Sequence, residues 1–277
     1  MKKFADNKHV VQKLLLSQPI DIPVFHDVAL RLQQMMNDHS YKIEEAIILV
    51  HQDTALASEM LRYANSTYNS GKTPITTIKN AIVRLGSQQI VNLAFTASMA
   101  NNKSDNHIIN SYLRKLWQHC HAVAITSSWL AVQIKHDNDI LDLDPDEVYL
   151  AGLLHSIGKL YLLKSMDNLV AAGILQADEA IIDQILEELT IPQGVKVMRH
   201  WNIPDVYANS IERHRTDAWI GETNNHLVAS VRLSCKIHHC IEQGIEATEV
   251  SGIVNDELLF LDIDDVSNVY EMMKAVA

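Results

Sequence analysis

The sequence has few of the residues that interrupt helices, with 9 glycines and 6 prolines among 277 residues. Its apolar residues recur mainly at spacings of three and four, which is the period of an amphipathic helix. It also has no internal repeat and no low-complexity tract. These features predict an all-α protein.

The sequence lacks an excess of positive charge, since its formal net charge is −11. Phosphate backbones and anionic lipids bind clustered lysine and arginine, so we expect neither direct nucleic-acid binding nor membrane binding. Hydrophobic residues make up 47% of the chain, which is enough to form a sizeable core.

Cysteine is scarce too, and the odd number of three, Cys120, Cys235 and Cys240, fits reduced thiols better than a disulfide framework. Polar residues interrupt the N-terminus early and no small-residue cleavage site follows, so no export signal is predicted. The richest apolar region, residues 148–163, contains a histidine and a lysine and is shorter than the roughly 20 residues of a membrane span. We therefore expect a cytoplasmic protein.

Two common catalytic motifs are missing. The Gly-Lys-Thr at residues 71–73 lacks the upstream glycine and strand of a phosphate-binding loop, and no Gly-x-Ser-x-Gly elbow occurs. Nucleotide hydrolysis or acyl transfer by those routes is excluded.

Several helix boundaries can be predicted from capping residues. Asp53 and Thr77 each precede an apolar helical pattern and can act as N-caps. Asn65 can close the helix that Asp53 begins, through side-chain hydrogen bonds to the backbone. Gly86 can end the helix after Thr77 in a left-handed conformation, and Ser87 can cap the next helix.

A further helix start is marked by the stretch Asp-Pro-Asp-Glu at residues 144–147. It combines an N-cap aspartate, proline at the first helical position and a glutamate three residues after the cap. The helix leading to His155 is therefore predicted to begin at Pro145.

The polar stretch Asn101–His107 is the best candidate for a domain boundary. We place an N-terminal helical subdomain at residues 1–105 and a C-terminal helical subdomain at residues 106–277.

Ordered motifs along the chain carry a family resemblance. They include the segments QPIDIPVF, EEAIILVHQDTALASEMLRYANSTYNS and ITTIKNAIVRLG, followed by LWQHC, AGLLHSIGKL and WNIPDVYANSIERHR. Together they resemble the HDOD signalling module over roughly residues 15–240. The matched positions are Pro19, Pro23, Gln52, Asp53, Asn65, Ser66, Ala81, Ile82, Leu85 and Gly86. The resemblance implies an N-terminal helical bundle packed on a C-terminal bundle like that of the HD and HD-GYP phosphohydrolases.

The same resemblance implies a metal site that has lost its carboxylates. His119 and His155 match the two early histidines of an HD phosphohydrolase, but Ser156 stands where the bridging aspartate is expected. A serine hydroxyl is neutral and a poor metal ligand, whereas a carboxylate can bridge two cations.

Further changes affect the later ligand positions. Thr190 replaces a histidine, Arg215 replaces the second residue of a His-His pair, and Cys235 replaces the terminal aspartate. The candidate ligands that remain are His119, His155 and His214.

Two interpretations of these histidines stay open. They are either half-buried helix residues satisfied by hydrogen bonds, or a residual site for a divalent metal such as zinc, iron, nickel or magnesium. The first interpretation is favoured, so no cofactor is expected.

Other candidate residues give weaker evidence for a metal or ligand site. The segment CKIHHC places Cys235, His238 and His239 on one helix face but leaves Cys240 off it, so it forms no local four-ligand set. Lys159 is favoured as a solvated cation at a helix end. His121 lies two residues after His119 and is therefore expected to point away from it, so the two cannot hold one metal from a regular helix.

The sequence therefore predicts a non-catalytic bacterial signal-transduction module that binds a signalling protein or a small nucleotide-like ligand, with no catalytic residues. The alternative is a divergent metal-dependent phosphohydrolase acting on a cyclic dinucleotide or a phosphomonoester. In that case Asp217 or Glu212 would supply the missing carboxylate.

Overall fold

A computed structural model of the chain describes residues 12–16, 27–37, 42–66, 74–137, 143–213 and 226–277. Every regular element among those residues is a helix, which confirms the predicted all-α fold. None of the described helices combines the length and the apolarity needed to cross a bilayer.

The described residues form two compact units. One unit contains the helices between Pro23 and Asn102 together with Trp201–Ile203. The other contains residues 12–16, which are helical, and the helices in Lys103–His200 and Pro204–Ala277. The subdomain boundary expected near residue 105 stays a prediction.

The first unit is built from five helices among the residues described. They are α1 (Asp27–Asn37), α2 (Ile43–His51), α3 (Thr54–Ala64), α4 (Ile78–Leu85) and α5 (Ser87–Ala100). Helix α5 packs on α1 and α3, so its apolar residues form the centre of this unit. They include Ile90, Val91 and Phe95, which are fully buried.

Capping residues explain where these helices begin and end. The Asp53 carboxylate accepts hydrogen bonds from the Ala55 and Leu56 amides at 3.0 Å, and Thr77 Oγ1 accepts one from the Asn80 amide at 3.2 Å. Both predicted N-caps are therefore confirmed.

Asn65 closes α3, as predicted. Its Nδ2 donates to the Leu61 carbonyl at 2.8 Å and to the Ile75 carbonyl at 2.7 Å. Its Oδ1 accepts from the Ile75 amide at 2.7 Å, so this side chain also fixes the approach to α4.

The predicted role of Ser87 as an N-cap is wrong. Gly86 occupies that position with φ 80° and ψ 164°, and Ser87 is already the first residue of α5. Glycine tolerates this positive φ, as expected, but its extended ψ lets one residue both end α4 and start α5.

Besides the helical residues 12–16, the second unit contains nine helices among its described residues. They are α6 (His107–Asp137), α7 (Pro145–Leu154), α8 (Ile157–Ala171), α9 (Glu179–His200), α10 (Asp205–Arg213), α11 (His226–Glu242), α12 (Ala247–Ile253), α13 (Asn255–Leu261) and α14 (Ser267–Val276). The long helix α6 packs on both α7 and α11. The predicted start of α7 is confirmed, because Asp144 caps it by accepting from the Asp146 amide at 2.9 Å and Pro145 follows.

Two glycines allow the helices around the site to approach closely. A Cβ at Gly152 would lie 2.7 Å from the Ala124 Cα, and a Cβ at Gly158 would lie 1.9 Å from the Thr190 carbonyl oxygen. Because glycine has no Cβ, α7 can pack against the backbone of α6 and α8 against that of α9. These contacts fix the position of the turn between α7 and α8.

Candidate functional site

Three segments of the second unit bring histidines and a cysteine together. Helix α6 carries His119, the turn between α7 and α8 carries His155, and α11 carries Cys235 and His238. His155 is fully buried and His238 is 5% exposed, while His119 and Cys235 are half-buried. We call these four residues the His/Cys cluster.

The rings of the cluster form a chain of close nitrogen–nitrogen contacts. His119 Nδ1 lies 3.1 Å from His238 Nδ1, and His119 Nε2 lies 3.0 Å from His155 Nε2. His155 Nδ1 lies 2.6 Å from the Gly152 carbonyl oxygen. His119 is therefore the central residue of this chain of rings, with another histidine facing each of its ring nitrogens.

The carbonyl at the end of this chain fixes the direction of every hydrogen bond in the neutral state. A carbonyl oxygen only accepts, so His155 Nδ1 carries the proton and its Nε2 has a lone pair. His119 Nε2 then donates to His155, and His238 Nδ1 donates to His119. All three rings are satisfied without charge.

Cys235 completes a group that can bind a metal. Its Sγ lies 3.7 Å from His119 Nε2, and the donor atoms of His119, His155 and Cys235 all lie within 4.8 Å of one another. This group contains no carboxylate, in the part of the chain that the structure describes. Two imidazoles and a thiolate suit a single soft transition-metal ion better than a carboxylate-bridged pair of hard ions.

Burial determines the protonation of the neighbouring groups. It lowers the pKa of His238, an effect opposed in part by Glu242, whose Oε2 lies 3.7 Å from His238 Nδ1. It also raises the pKa of the Cys120 thiol to about 12. Cys120 is therefore an inert thiol, which agrees with a packing role.

A cavity of about 840 Å³ lies beside the cluster, with His119 and Cys235 in its wall. Four basic residues also line it: Lys115, Lys159, Arg232 and Lys236. Three acidic residues complete its charged lining: Asp183, Glu187 and Glu242. The lining therefore carries one more basic than acidic residue, and its cations can contact a bound anion.

Two of these cations are held by a carboxylate from outside the cavity lining. Glu257 of α13 is fully buried, forms an ion pair with Arg232, and lies 2.8 Å from Lys236 Nζ. These two ion pairs join one face of α11 to α13.

The structure brings together only part of the predicted ligand set. His119 and His155 are adjacent, whereas His214 lies outside the described residues and stays a prediction. Thr190, which the family resemblance predicts to replace a histidine ligand, is fully buried and donates from Oγ1 to the Leu186 carbonyl. Ser156 is buried at the start of α8 and adds no side-chain cap.

Of the two residues predicted to supply a replacement carboxylate, only Glu212 lies among the described residues. Glu212 lies 3.9 Å from Arg199 and does not belong to the metal-binding group. Asp217, like Arg215, lies outside the described residues.

Other residues differ from their predicted roles. Lys159 was favoured as a solvated cation, but its half-buried side chain lines the cavity because α8 begins at the turn beside His155. Sequence reasoning also missed the contact of His238 with His119. The three-residue spacing from Cys235 to His238 was the available signal, since it places both on one face of α11.

His121, on the same helix as His119, turns away from the cluster, as expected. His121 stacks on Trp117 with ring centroids 4.6 Å apart. Its buried Nδ1 has no hydrogen-bond partner among the described residues, and burial lowers its pKa.

Similar proteins share this helical architecture. One solved structure, from Shewanella amazonensis SB2B, is provisionally designated a metal-dependent phosphohydrolase. It is 20% identical to this chain and superposes with a TM-score of 0.74. The match covers 100% of this chain and 99% of the chain in that structure. Another, from Marinobacter aquaeolei VT8, is provisionally designated a signal transduction protein. It is 19% identical and superposes with a TM-score of 0.54. The match covers 98% of this chain and 65% of the chain in that structure.

A curated relative is known only as an uncharacterized protein of Treponema pallidum (strain Nichols). It is 22% identical over 219 residues, which are 76% of this chain and 41% of the relative. This chain therefore spans less than half the length of that relative. The family model for the HDOD domain matches residues 22–216, well over half of the sequence. The chain belongs to the HDOD domain family.

Proposed function

We propose that this chain is a non-catalytic signal-transduction module whose input is a small nucleotide-like ligand bound in the cavity beside the His/Cys cluster. A signalling protein would recognise the occupied state. The observation that carries the proposal is the donor set of His119, His155 and Cys235, which includes no carboxylate among the described residues. Phosphate ester cleavage by a pair of metal ions needs anionic ligands that hold both ions, so this set supports binding without turnover.

The size and the lining of the cavity fit a small ligand. Its volume of about 840 Å³ falls in the range of ordinary small-molecule sites. Lys115 and Lys159 can bind phosphate, while Leu116 and Leu163 offer apolar contact to a base or sugar. This combination of charged and apolar walls fits a nucleotide better than a purely apolar or purely anionic molecule.

Calorimetric titration of the metal-free protein with a cyclic dinucleotide, and separately with a nucleoside monophosphate, tests the proposal. We expect saturable binding of at least one probe and recovery of that probe unchanged. Lys159→Ala should weaken binding about tenfold or more, because a charge-assisted hydrogen bond contributes about 1.5–3 kcal/mol. Lys196, which is exposed on α9 and outside the cavity lining, provides the matched control Lys196→Ala.

The two variants distinguish binding at the proposed site from binding elsewhere. Loss of affinity in Lys159→Ala alone supports the proposed site. Absence of binding of both probes, or equal loss in the two variants, contradicts it.

A second candidate is the divergent metal-dependent phosphohydrolase. The approach of His119 Nε2 to within 3.0 Å of His155 Nε2 favours it, since two converging imidazoles can hold an ion that activates water. It requires a carboxylate from elsewhere, and among the described residues Glu212 does not supply one. Turnover that depends on His155 would favour this candidate over the first.

A further inference from the structure

The metal-binding group of the His/Cys cluster has donor spacings that suit a metal ion. A metal site there goes beyond the proposed signalling function, because it is compatible with either candidate function. Around a tetrahedral ion with bonds of about 2.0–2.1 Å to nitrogen and about 2.3 Å to sulfur, neighbouring donor atoms are separated by roughly 3.3–3.6 Å. The His119 Nε2 to His155 Nε2 distance of 3.0 Å and the His119 Nε2 to Cys235 Sγ distance of 3.7 Å lie close to these values. The third pair of donors, from His155 and Cys235, lies within 4.8 Å, so binding an ion would bring the Cys235 and His155 side chains closer together.

The supporting contacts around these donors are already in place. The Gly152 carbonyl accepts from His155 Nδ1, which leaves the His155 Nε2 lone pair directed at His119. Metal ligands commonly have such a carbonyl partner on the second ring nitrogen, which fixes the tautomer and the ring orientation. His155 is also fully buried on a turn fixed by close helix packing, so its orientation is built into the fold.

His119 can change tautomer without losing a partner. In the metal-free chain its Nε2 proton lies between the two facing Nε2 atoms. With a metal there, His119 Nδ1 would carry the proton and donate to His238 Nδ1, 3.1 Å away, and the proton of His238 would move to its Nε2. The number of imidazole protons stays the same, and the Cys235 thiol loses one proton to solvent as the metal–sulfur bond forms.

We infer that His119 Nε2, His155 Nε2 and Cys235 Sγ form a mononuclear site for a thiophilic transition metal, with Zn²⁺ as the best match. Thiolate and imidazole donors favour zinc and similar soft or borderline ions over magnesium or calcium. His119 and Cys235 face the cavity, so a fourth coordination position is accessible to a cavity ligand. Cys235 thus supplies the thiolate that makes the site selective for a thiophilic metal.

Titration of the metal-free full chain with Co²⁺, used as a spectroscopic substitute for Zn²⁺, tests the inference. We expect one equivalent to produce d–d bands of tetrahedral intensity and a near-ultraviolet charge-transfer band from thiolate to cobalt. Added Zn²⁺ should displace Co²⁺ and remove both features.

The variant Cys235→Ser should lose the charge-transfer band. Its affinity for the metal should fall by more than the roughly 10–100-fold that loss of a supporting partner costs. Cys240 is buried on the same helix, outside the metal-binding group, and Cys240→Ser is the matched thiol control. Far-ultraviolet circular dichroism of both variants establishes that they are folded.

Three results would overturn the inference: no cobalt binding by the wild-type chain, cobalt binding without a charge-transfer band, or a band that survives in Cys235→Ser. The wild-type spectrum alone can contradict it, even if a variant fails to fold. Because no nucleotide is present, failure here leaves the ligand proposal to be judged by its own titration.

Discussion

His155 donates from Nδ1 to the carbonyl of Gly152, three residues earlier, at a distance of 2.6 Å. This hydrogen bond orders the protons of the neutral His/Cys cluster, because it leaves a lone pair on His155 Nε2 for His119 to donate to. His155, the residue that follows α7, therefore determines the tautomer of His119 on α6 and, through it, that of His238 on α11.

The first prediction is the tautomeric state of the metal-free chain at pH 7.5. Long-range proton–nitrogen correlation spectra should show His155 and His238 protonated at Nδ1 and His119 protonated at Nε2. In His155→Ala, His119 should lose this fixed tautomer because its Nε2 loses the acceptor that orders it, whereas His238→Ala should leave the proton on Nε2. His239→Ala, at the exposed neighbouring residue, should leave the spectrum of the cluster unchanged. Protonation of His119 at Nδ1 in the wild-type chain would contradict the order of hydrogen bonds.

The second prediction concerns the crossing of α8 and α9. A Cβ at Gly158 would lie 1.9 Å from the Thr190 carbonyl oxygen and 2.8 Å from the Gly194 amide nitrogen, and neither is the end of a flexible side chain. Gly158→Ala should therefore lower the free energy of unfolding by about 3 kcal/mol or more, at or beyond the upper end of overpacking costs.

Gly252 provides the control for Gly158. It lies in α12, and a Cβ there would meet nothing within 4 Å. Gly252→Ala should stabilise the protein by up to about 1 kcal/mol through helix propensity alone. Equal effects of the two substitutions in urea denaturation would show that the close crossing is absent.

The third prediction concerns Glu257. It is fully buried and pairs with Arg232, which is 5% exposed by its side chain, and with Lys236. Glu257→Gln keeps the shape but leaves buried positive charge without a counter-ion, so we expect a loss of about 3 kcal/mol.

An exposed ion pair serves as the control for Glu257. Glu59 pairs with Arg62 on the surface of α3, and Glu59→Gln should change the free energy of unfolding by less than about 1 kcal/mol. A similarly small effect of Glu257→Gln would mean that the charges around Glu257 are solvated.

The fourth prediction is a pH dependence of stability. Burial lowers the pKa of His121 below its ordinary value of 6.5, so the unfolded chain binds a proton more readily there than the folded chain. This contribution to stability is complete above pH 6.5 and is lost as the pH falls through the lowered pKa.

His121→Phe removes that titration and keeps the stacking on Trp117. It also removes the buried Nδ1 that has no described partner. The stability difference between variant and wild type should therefore favour the variant more at pH 5.5 than at pH 7.5. A difference that is independent of pH in His121→Phe would contradict the lowered pKa.

Local signals in the sequence predicted the helix boundaries well. Asp53, Thr77 and Asp144 cap helices as expected, because a side-chain oxygen needs only amides two or three residues away. Ser87 failed for an equally local reason, since the positive φ of Gly86 leaves no separate capping residue between α4 and α5.

The site could be predicted only in part. The family resemblance predicted that Cys235 replaces a ligand. Whether its sulfur reaches His119, 116 residues away in the chain, depends on the packing of α11 against α6. The burial of Glu257 likewise depends on α13 packing on α11. Neither contact has a signal in local residue spacing, so both required the structure.

The measurement that most directly tests the central claim, a site that binds without cleaving phosphate esters, is a turnover assay. The purified chain, loaded with Zn²⁺ or Mn²⁺, is incubated with a cyclic dinucleotide and with a phosphomonoester, beside folded His155→Ala. We predict equal rates for the two proteins, at the level of metal in buffer. A wild-type rate more than about tenfold above that of His155→Ala, equivalent to about 1.4 kcal/mol of transition-state stabilisation, would contradict the account.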